Sequence, residues 1–323
     1  MTATFLTNIP SFRRSLLAWY ERNKRALPWR QSRDPYSVWL SEIMLQQTRV
    51  AAVLEHYRNF LRKFPSVQEL AAARTSSVLA AWSGLGYYRR ARLIRAAARQ
   101  IVKVHAGRFP SSVAELRSLP GVGRYTAAAI ASIAFDEPAA VVDGNVERVL
   151  QRLCGERLDS AGLWETARAL LSRRRPGDFN QAMMELGATV CLPRSPNCLL
   201  CPVSSFCSTR GELPVPRSMP RPQRHTVQYA LSRRGNTVLL AKRGRLESLM
   251  PGMWELPEIA EQNDSARPLF TLRHSITNTD YRVRVVELSP PAHLEGVWIA
   301  QKRLAGLPLT GLARKILRRA AVI

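Results

Sequence analysis

Four of the five cysteines crowd into one short segment, spaced Cys191-x6-Cys198-x2-Cys201-x5-Cys207. Thiols packed so densely either pair as disulfides or ligate a metal, and both close the segment into a loop. A cytosolic chain of this length has little use for a disulfide framework. Four thiolates suit a tetrahedral zinc ion or a [4Fe–4S] cluster, and physics alone leaves both open. Cys154 stands apart and reads as a core thiol.

The segment sits near a change of character in the chain. Before it, apolar residues recur at helical spacing in Phe12–Trp19, Val38–Leu45, Val78–Trp82, Leu93–Val104, Val113–Leu119, Thr126–Ala134, Val146–Leu153 and Leu163–Leu171. After it, Pro214, Pro216, Pro220 and Pro222 interleave with Arg217 and Arg221, a composition that favours an extended linker. Beyond the prolines, Thr226–Ser232, Thr237–Ala241 and Tyr281–Leu288 read as strands, with a hairpin turn at Arg234-Gly235-Asn236. A last helix is expected over Gly311–Ala320. The expected organisation is a mainly α domain over residues 1–210, a linker over 211–224 and a small α+β domain over 225–323.

Lys and Arg number 48 against 24 Asp and Glu, a formal charge of +24 spread along the chain. Such a surface steers and holds a polyanion by counterion release, so a nucleic-acid partner is expected. No apolar run is long enough to span a bilayer, and Met1 to Pro10 lacks the pattern of a secretory leader. A cytoplasmic protein is expected.

Between two helical stretches lies Leu119-Pro120-Gly121-Val122-Gly123-Arg124. The glycines permit a sharp turn, and the amides they uncover sit at a helix N-terminus, where an anion is favoured. A DNA phosphate suits that place without any base being read. The run through Tyr125-Thr126-Ala127 resembles the helix-hairpin-helix of the endonuclease III superfamily of DNA glycosylases. Members that cleave the strand carry Lys where this chain has Tyr125, so amine-based lyase chemistry is not expected. The pattern is instead similar to the MutY-type adenine glycosylases.

Two carboxylates stand out. Glu42 shares a helix face with Val38 and Leu45, an environment that raises a carboxyl pKa and suits a general acid. Ser41-Glu42-x-Met44-Leu45-Gln46-Gln47-Thr48 resembles the family's segment around its catalytic Glu. Asp143 follows an apolar run and opens a helix, where a carboxylate caps the amides and tends to stay ionised. Val142-Asp143-Gly144-Asn145-Val146-x-Arg148-Val149 resembles the segment around the catalytic Asp. The resemblance implies that Tyr125 and Asn145 hydrogen-bond around these carboxylates.

The same resemblance implies base extrusion, since a stacked base is unreachable. Gln47 and Tyr87 match residues inserted into the stack. Trp29, Arg30 and Gln181 match those around the extruded adenine, although core packing is the bland reading of both aromatics. Arg194, inside the cysteine segment, is placed to meet phosphate. Arg89, Arg90, Arg92 and Arg95 follow Tyr87 and either line the DNA backbone or form a solvated face. The cysteine spacing is the family's [4Fe–4S] pattern, with a structural role.

The family's C-terminal domain is Nudix-like and recognises 8-oxoguanine. Pro251-Gly252-Met253-Trp254-Glu255-Leu256-Pro257 resembles part of it, but Ala266 and Arg267 stand where a working Nudix box needs Arg-Glu. Pyrophosphate hydrolysis is therefore not expected. Opposite-base recognition falls to Ser275, Thr277 and Asn278, in a loop that lacks the aromatic common at Ile276. The resemblance implies a monomeric, nucleoid-associated enzyme that removes adenine from A:8-oxoguanine and A:G mispairs in double-stranded DNA. The alternatives are a pyrimidine-lesion glycosylase/lyase and a non-catalytic iron–sulfur DNA-binding protein.

Overall fold

The computed structural model describes residues 8–213, 223–244, 247, 250–259, 267–276, 279–288 and 294–323. The helices are α1 (Ile9–Asn23), α2 (Pro35–Leu45), α3 (Val50–Lys63), α4 (Val67–Ala72), α5 (Thr75–Trp82), α6 (Arg89–Val104) and α7 (Val113–Leu116). They continue with α8 (Arg124–Phe135), α9 (Gly144–Cys154), α10 (Ser160–Leu170) and α11 (Pro176–Thr189). The strands are β1 (Gln223–Leu231), β2 (Arg233–Arg234), β3 (Thr237–Lys242), β4 (Trp254–Glu255), β5 (Phe270–Ile276), β6 (Thr279–Glu287) and β7 (Val297–Ala300). Two helices, α12 (Gln301–Leu304) and α13 (Gly311–Arg319), close the chain. The expected mainly α protein with a small C-terminal sheet region is what the chain forms.

Contacts divide it into two compact units: Met1–Ala71 with Ala96–Pro216, and Ala72–Arg95 with Arg217–Ile323. In the first unit, α2 is buried nearly all round, from Tyr36 to Met44. Asp34 starts it cleanly, its carboxylate accepting from the Ser37 amide at 2.9 Å, with Pro35 in the first turn. Helix α11 packs on α1, α8 and α9. At Gly187 it comes so near α9 that an added Cβ would lie 2.6 Å from the Asn145 Cβ. Helix α9 ends at Gly155, whose φ of +78° closes it in the left-handed region.

In the second unit β6 is central between β1, which runs parallel to it, and antiparallel β5. A second sheet has β3 paired with β2, β4 and β7. The hairpin expected at Gly235 joins β2 to β3, with φ of +52° at the glycine. Leu240, Val283 and Val285 from the sheets form one buried cluster with Leu309, Ile316 and Leu317. Among the described residues, no helix is long and apolar enough to cross a membrane.

Replacing Gly187 with Ala is expected to force α9 and α11 apart and cost about 1–3 kcal/mol, as overpacking does. Urea denaturation reads this, and a wild-type midpoint contradicts the close approach.

Candidate active site

Helix α2 delivers Glu42 into the interior with 7% of its surface exposed. Helix α8 lies alongside and supplies Tyr125, whose hydroxyl donates to Glu42 Oε2 at 2.8 Å. Met184 Sδ on α11 lies 3.1 Å from the same hydroxyl. Burial pushes the Glu42 carboxyl up to about 7, assisted by the charge of Asp143 and opposed by Tyr125 and Arg30. The Tyr125 hydroxyl is itself raised well above its ordinary range, by burial first and then by Glu42 and Asp143.

Asp143 is the N-cap of α9. Its Oδ1 accepts from the Asn145 and Val146 amides at 3.0 and 2.7 Å. Its Oδ2 accepts from Asn145 Nδ2 at 3.2 Å. The side chain that caps α9 is thus the one expected from the sequence as a candidate catalytic carboxylate. Burial still raises the Asp143 carboxyl, restrained by these bonds and by Arg148. Arg148 donates to Asn145 Oδ1 at 2.8 Å, to the Gly187 carbonyl at 2.6 Å and to the Cys191 carbonyl at 2.8 Å. Glu42, Tyr125, Asp143 and Asn145 are therefore neighbours in space, joined by direct bonds within each pair and by charge between the carboxyls.

Arg30 does not stand free in a pocket. It donates to Glu185 Oε2 at 2.8 Å, while Arg25 grips both oxygens of the same carboxylate at 2.7 and 2.8 Å. The Glu185 side chain is fully buried. Burial alone would raise its pKa, but the bonds from Arg25 and Arg30 prevail and hold it at about 2. Sequence reading missed Glu185 and Arg25. The available signal was a lone acid in the apolar run Ala182-Met183-Met184-Glu185-Leu186, one helical turn after Gln181. Gln181 is half-buried on α11. Trp29 is buried edge-to-face on Tyr57, ring centroids 5.4 Å apart.

At the hairpin, Gly121 has φ of +80° and Gly123 caps α8 without any side-chain bond to its first amides. The Arg124 guanidinium lies 3.7 Å from the centre of the Trp164 ring. Gln47 is exposed just after α2, with φ of +54°. Tyr87, in the second unit, is 45% exposed with φ of +48°. Left-handed backbone is costly for side chains of this size and collects at functional positions. Arg194 is exposed. Ser275 donates to Asp280 at 2.6 Å across the ends of β5 and β6, so its hydroxyl proton is already engaged. Thr277 and Asn278 lie outside the described residues.

Of the arginines after Tyr87, only Arg89 faces solvent freely. Arg90 is buried against Trp82 and Tyr87, Arg92 donates to the Pro251 carbonyl, and Arg95 donates to the Ala73 carbonyl at 2.5 Å. Of the two expected alternatives, a row lining the DNA backbone or a solvated face, neither describes all four, because three of them are tied internally.

The cysteine segment is held by the end of α9. Arg152, 5% exposed, donates to Cys191 Sγ at 3.3 Å and to the Leu192 and Pro193 carbonyls. Its own carbonyl accepts from Cys207 Sγ at 3.2 Å. Burial raises the Cys198 and Cys201 thiols, and Cys191 and Cys207 add to the effect in each. The four thiols thus share one neighbourhood. Among the described residues, no three His, Cys, Asp or Glu side chains gather tightly enough for a single metal ion.

Residues 40–171 match the model of the HhH-GPD superfamily of base excision DNA repair proteins. The adenine DNA glycosylase of Buchnera aphidicola subsp. Baizongia pistaciae is 34% identical over 78% of this chain and 75% of its own length. The chain belongs to the adenine DNA glycosylase family. Another adenine DNA glycosylase, from Rattus norvegicus, is 49% identical over 62% of this chain, yet only 42% of that protein is spanned. The chain covers less than half of the curated mammalian and Arabidopsis relatives it matches. Among solved structures, a thermostable thymine-DNA glycosylase superposes with a TM-score of 0.59 at 32% identity, over 63% of this chain and 96% of that one. Endonuclease III in a non-covalent DNA complex gives 0.54 at 25% identity, over 62% and 96%. In this adenine DNA glycosylase family member, the matched segment carries Glu42, Tyr125, Asp143 and Asn145.

Glu185→Gln is expected to destabilise the first unit by roughly 3–5 kcal/mol, because two guanidinium groups lose their buried counter-charge. The clamp's contribution is present above a carboxyl pKa of about 4.5 and fades as pH falls toward 2. Urea denaturation at pH 7 measures the loss, and a variant as stable as the parent contradicts the clamp.

Proposed function

We propose that the chain is a monofunctional adenine DNA glycosylase acting on adenine opposite 8-oxoguanine or guanine in duplex DNA. The observation that carries the reading is Glu42: a buried carboxyl held near pH 7, touched by Tyr125 and next to a second carboxyl. A neutral acid beside an anionic partner is the division of labour that cleaving a glycosidic bond requires.

Adenine leaves poorly as an anion. With Tyr125 on Oε2, the transferable proton of Glu42 sits on its other oxygen and passes to N7 of the extruded base. The bond between C1′ and N9 then breaks, its electron pair leaving with neutral adenine. The sugar gains oxocarbenium character, and the Asp143 carboxylate lies against C1′ or bonds it transiently. Glu42, now an anion, takes a proton from the attacking water. Adenine and an abasic site are released, and Glu42 has its proton back. Asn145 and the α9 amides fix Asp143, while the Tyr125 hydroxyl first, and Arg30 after it, oppose burial and keep the Glu42 pKa from rising further. The absence of Lys at Tyr125 supports simple hydrolysis over the lyase alternative.

Cys191, Cys198, Cys201 and Cys207 would hold the [4Fe–4S] cluster. The donor set fits: four thiols share one neighbourhood, with the Arg152 guanidinium as counter-charge. When bound, the cluster supplies a rigid structural core to the segment and takes no part in proton transfer. Phosphate contacts fall to the amides at Gly121 and Gly123, to Arg124 and to Arg194. Gln47 and Tyr87 enter the stack, and Trp29 and Gln181 wall the base. Opposite-base recognition falls to Ser275, Thr277 and Asn278, within residues 225–323. The enzyme acts as a monomer in the cytoplasm, at the nucleoid.

Glu42→Gln is expected to lower single-turnover excision by at least about a hundredfold, as loss of a general acid does, while duplex affinity stays within a few-fold. The same variant should gain stability above pH 7. The wild-type group favours folding below its unfolded pKa of about 4.5 and loses that contribution as pH rises through about 7. Excision at the parent's rate contradicts the assignment. Alkali-dependent strand breaks at adenine opposite 8-oxoguanine, with none at oxidised pyrimidines, separate this reading from the lyase.

A further inference from the structure

Tyr87 is presented by a loop that is braced from the C-terminal part of its own unit. Trp82 Nε1 donates to the Gly86 carbonyl at 3.1 Å, and Gly84 and Gly86 both have positive φ. The Arg90 guanidinium lies 5.4 Å from the ring centres of both Trp82 and Tyr87. On either side of Tyr87's turn, Ser83 and Tyr88 are buried to 3% and 2% exposure. Both hydroxyls converge on one atom, the Leu309 carbonyl oxygen, at 2.8 and 3.0 Å. That carbonyl is itself fixed. The Trp254 amide donates to Pro308 and the Thr310 amide to Trp254, both at 2.9 Å, and Thr310 caps α13. Arg92 adds a third tie, to the Pro251 carbonyl.

We propose that the Ser83 and Tyr88 hydroxyls, by gripping the Leu309 carbonyl, hold Tyr87 in its left-handed, solvent-facing pose, and are positioning residues for base extrusion. The inference rests on the reading of Tyr87 as the side chain that enters the stack. A bulky residue at positive φ persists only where its surroundings over-determine it. Here two donors saturate both lone pairs of one buried acceptor, and removal of both leaves that acceptor desolvated and unpaired. The loop then relaxes toward ordinary backbone and Tyr87 turns off the duplex. Chemistry at Glu42 is untouched, so the defect falls on the extrusion step alone.

The test compares the full-length parent with Tyr88→Phe, Ser83→Ala and the double variant. Each is assayed by single-turnover excision on two substrates: a fully paired duplex with adenine opposite 8-oxoguanine, and one with the adenine in a small bulge, where unstacking costs little. The double variant is expected to lose about tenfold on the paired duplex, the worth of one to two hydrogen bonds, and less than about twofold on the bulge. Equal losses on both substrates, or no loss on either, overturn the proposal. Tyr88→Phe keeps the buried ring and alone should lose about threefold on the paired substrate only, so the result stands even where the double variant folds poorly. Tyr87→Ala is the control. If it excises adenine from the paired duplex at the parent's rate, the reading of Tyr87 itself fails. If it is impaired while the hydroxyl variants are not, only the brace fails.

Discussion

A carboxyl buried among apolar helices must either keep its proton or find enough positive partners to lose it, and the first unit is built around that choice. Glu42 keeps its proton well above the usual carboxylate range: among the described residues it is hydrogen-bonded by the Tyr125 hydroxyl, too little to offset burial, and its pKa reaches about 7. Glu185 gives its proton up: two guanidinium groups surround it and hold it at about 2. Asp143 takes a third course, satisfied by helix amides and by Asn145. Helices α2, α8, α9 and α11 pack so that three acids on neighbouring elements meet three different electrostatic fates.

The arrangement is coupled from end to end. Arg30 both neutralises Glu185 and moderates Glu42. Arg148 ties Asn145, and through it Asp143, to α11 and to the first cysteine. One turn further along α9, Arg152 fastens the start of the cysteine segment. Helix α9 therefore carries the candidate catalytic carboxylate at one end and the anchor of the thiol segment at the other. The apposition of Gly187 with Asn145 sets how closely it lies on α11.

How much of this is legible in the sequence depends on the range of the interaction. Glu42 shows itself locally as a lone acid on an apolar face, and Asp143 as a cap before a periodic run. The strands expected at Thr237–Ala241 and Tyr281–Leu288 form close to those bounds. Helix α3 lies outside the segments expected to be helical, although Val53, Tyr57 and Phe60 repeat at helical spacing and are all buried. Strand β5 lies outside the expected strands too, since His274 and Arg273 dilute its alternation and its pairing with β6 is what makes it a strand. The partners of Glu185 lie 155 and 160 positions away, beyond any local pattern. Likewise Arg90, Arg92 and Arg95 look like a basic stripe until backbone carbonyls and an aromatic sandwich claim them. The grouping of Ala72–Arg95 with the C-terminal unit has the same origin, in bonds such as Ser83 to Leu309 that span most of the chain.

The central claim is that the Glu42 carboxyl titrates near neutrality, so that a substantial share of it still carries a proton there, and its titration measures that directly. With selectively carbon-13-labelled glutamate, the Glu42 carboxyl resonance, assigned through its disappearance in Glu42→Gln, is followed from pH 4 to 9. The account predicts a midpoint near 7, well apart from the surface glutamates. A midpoint near the ordinary value of about 4.5 would leave the site without a proton to give and contradict it.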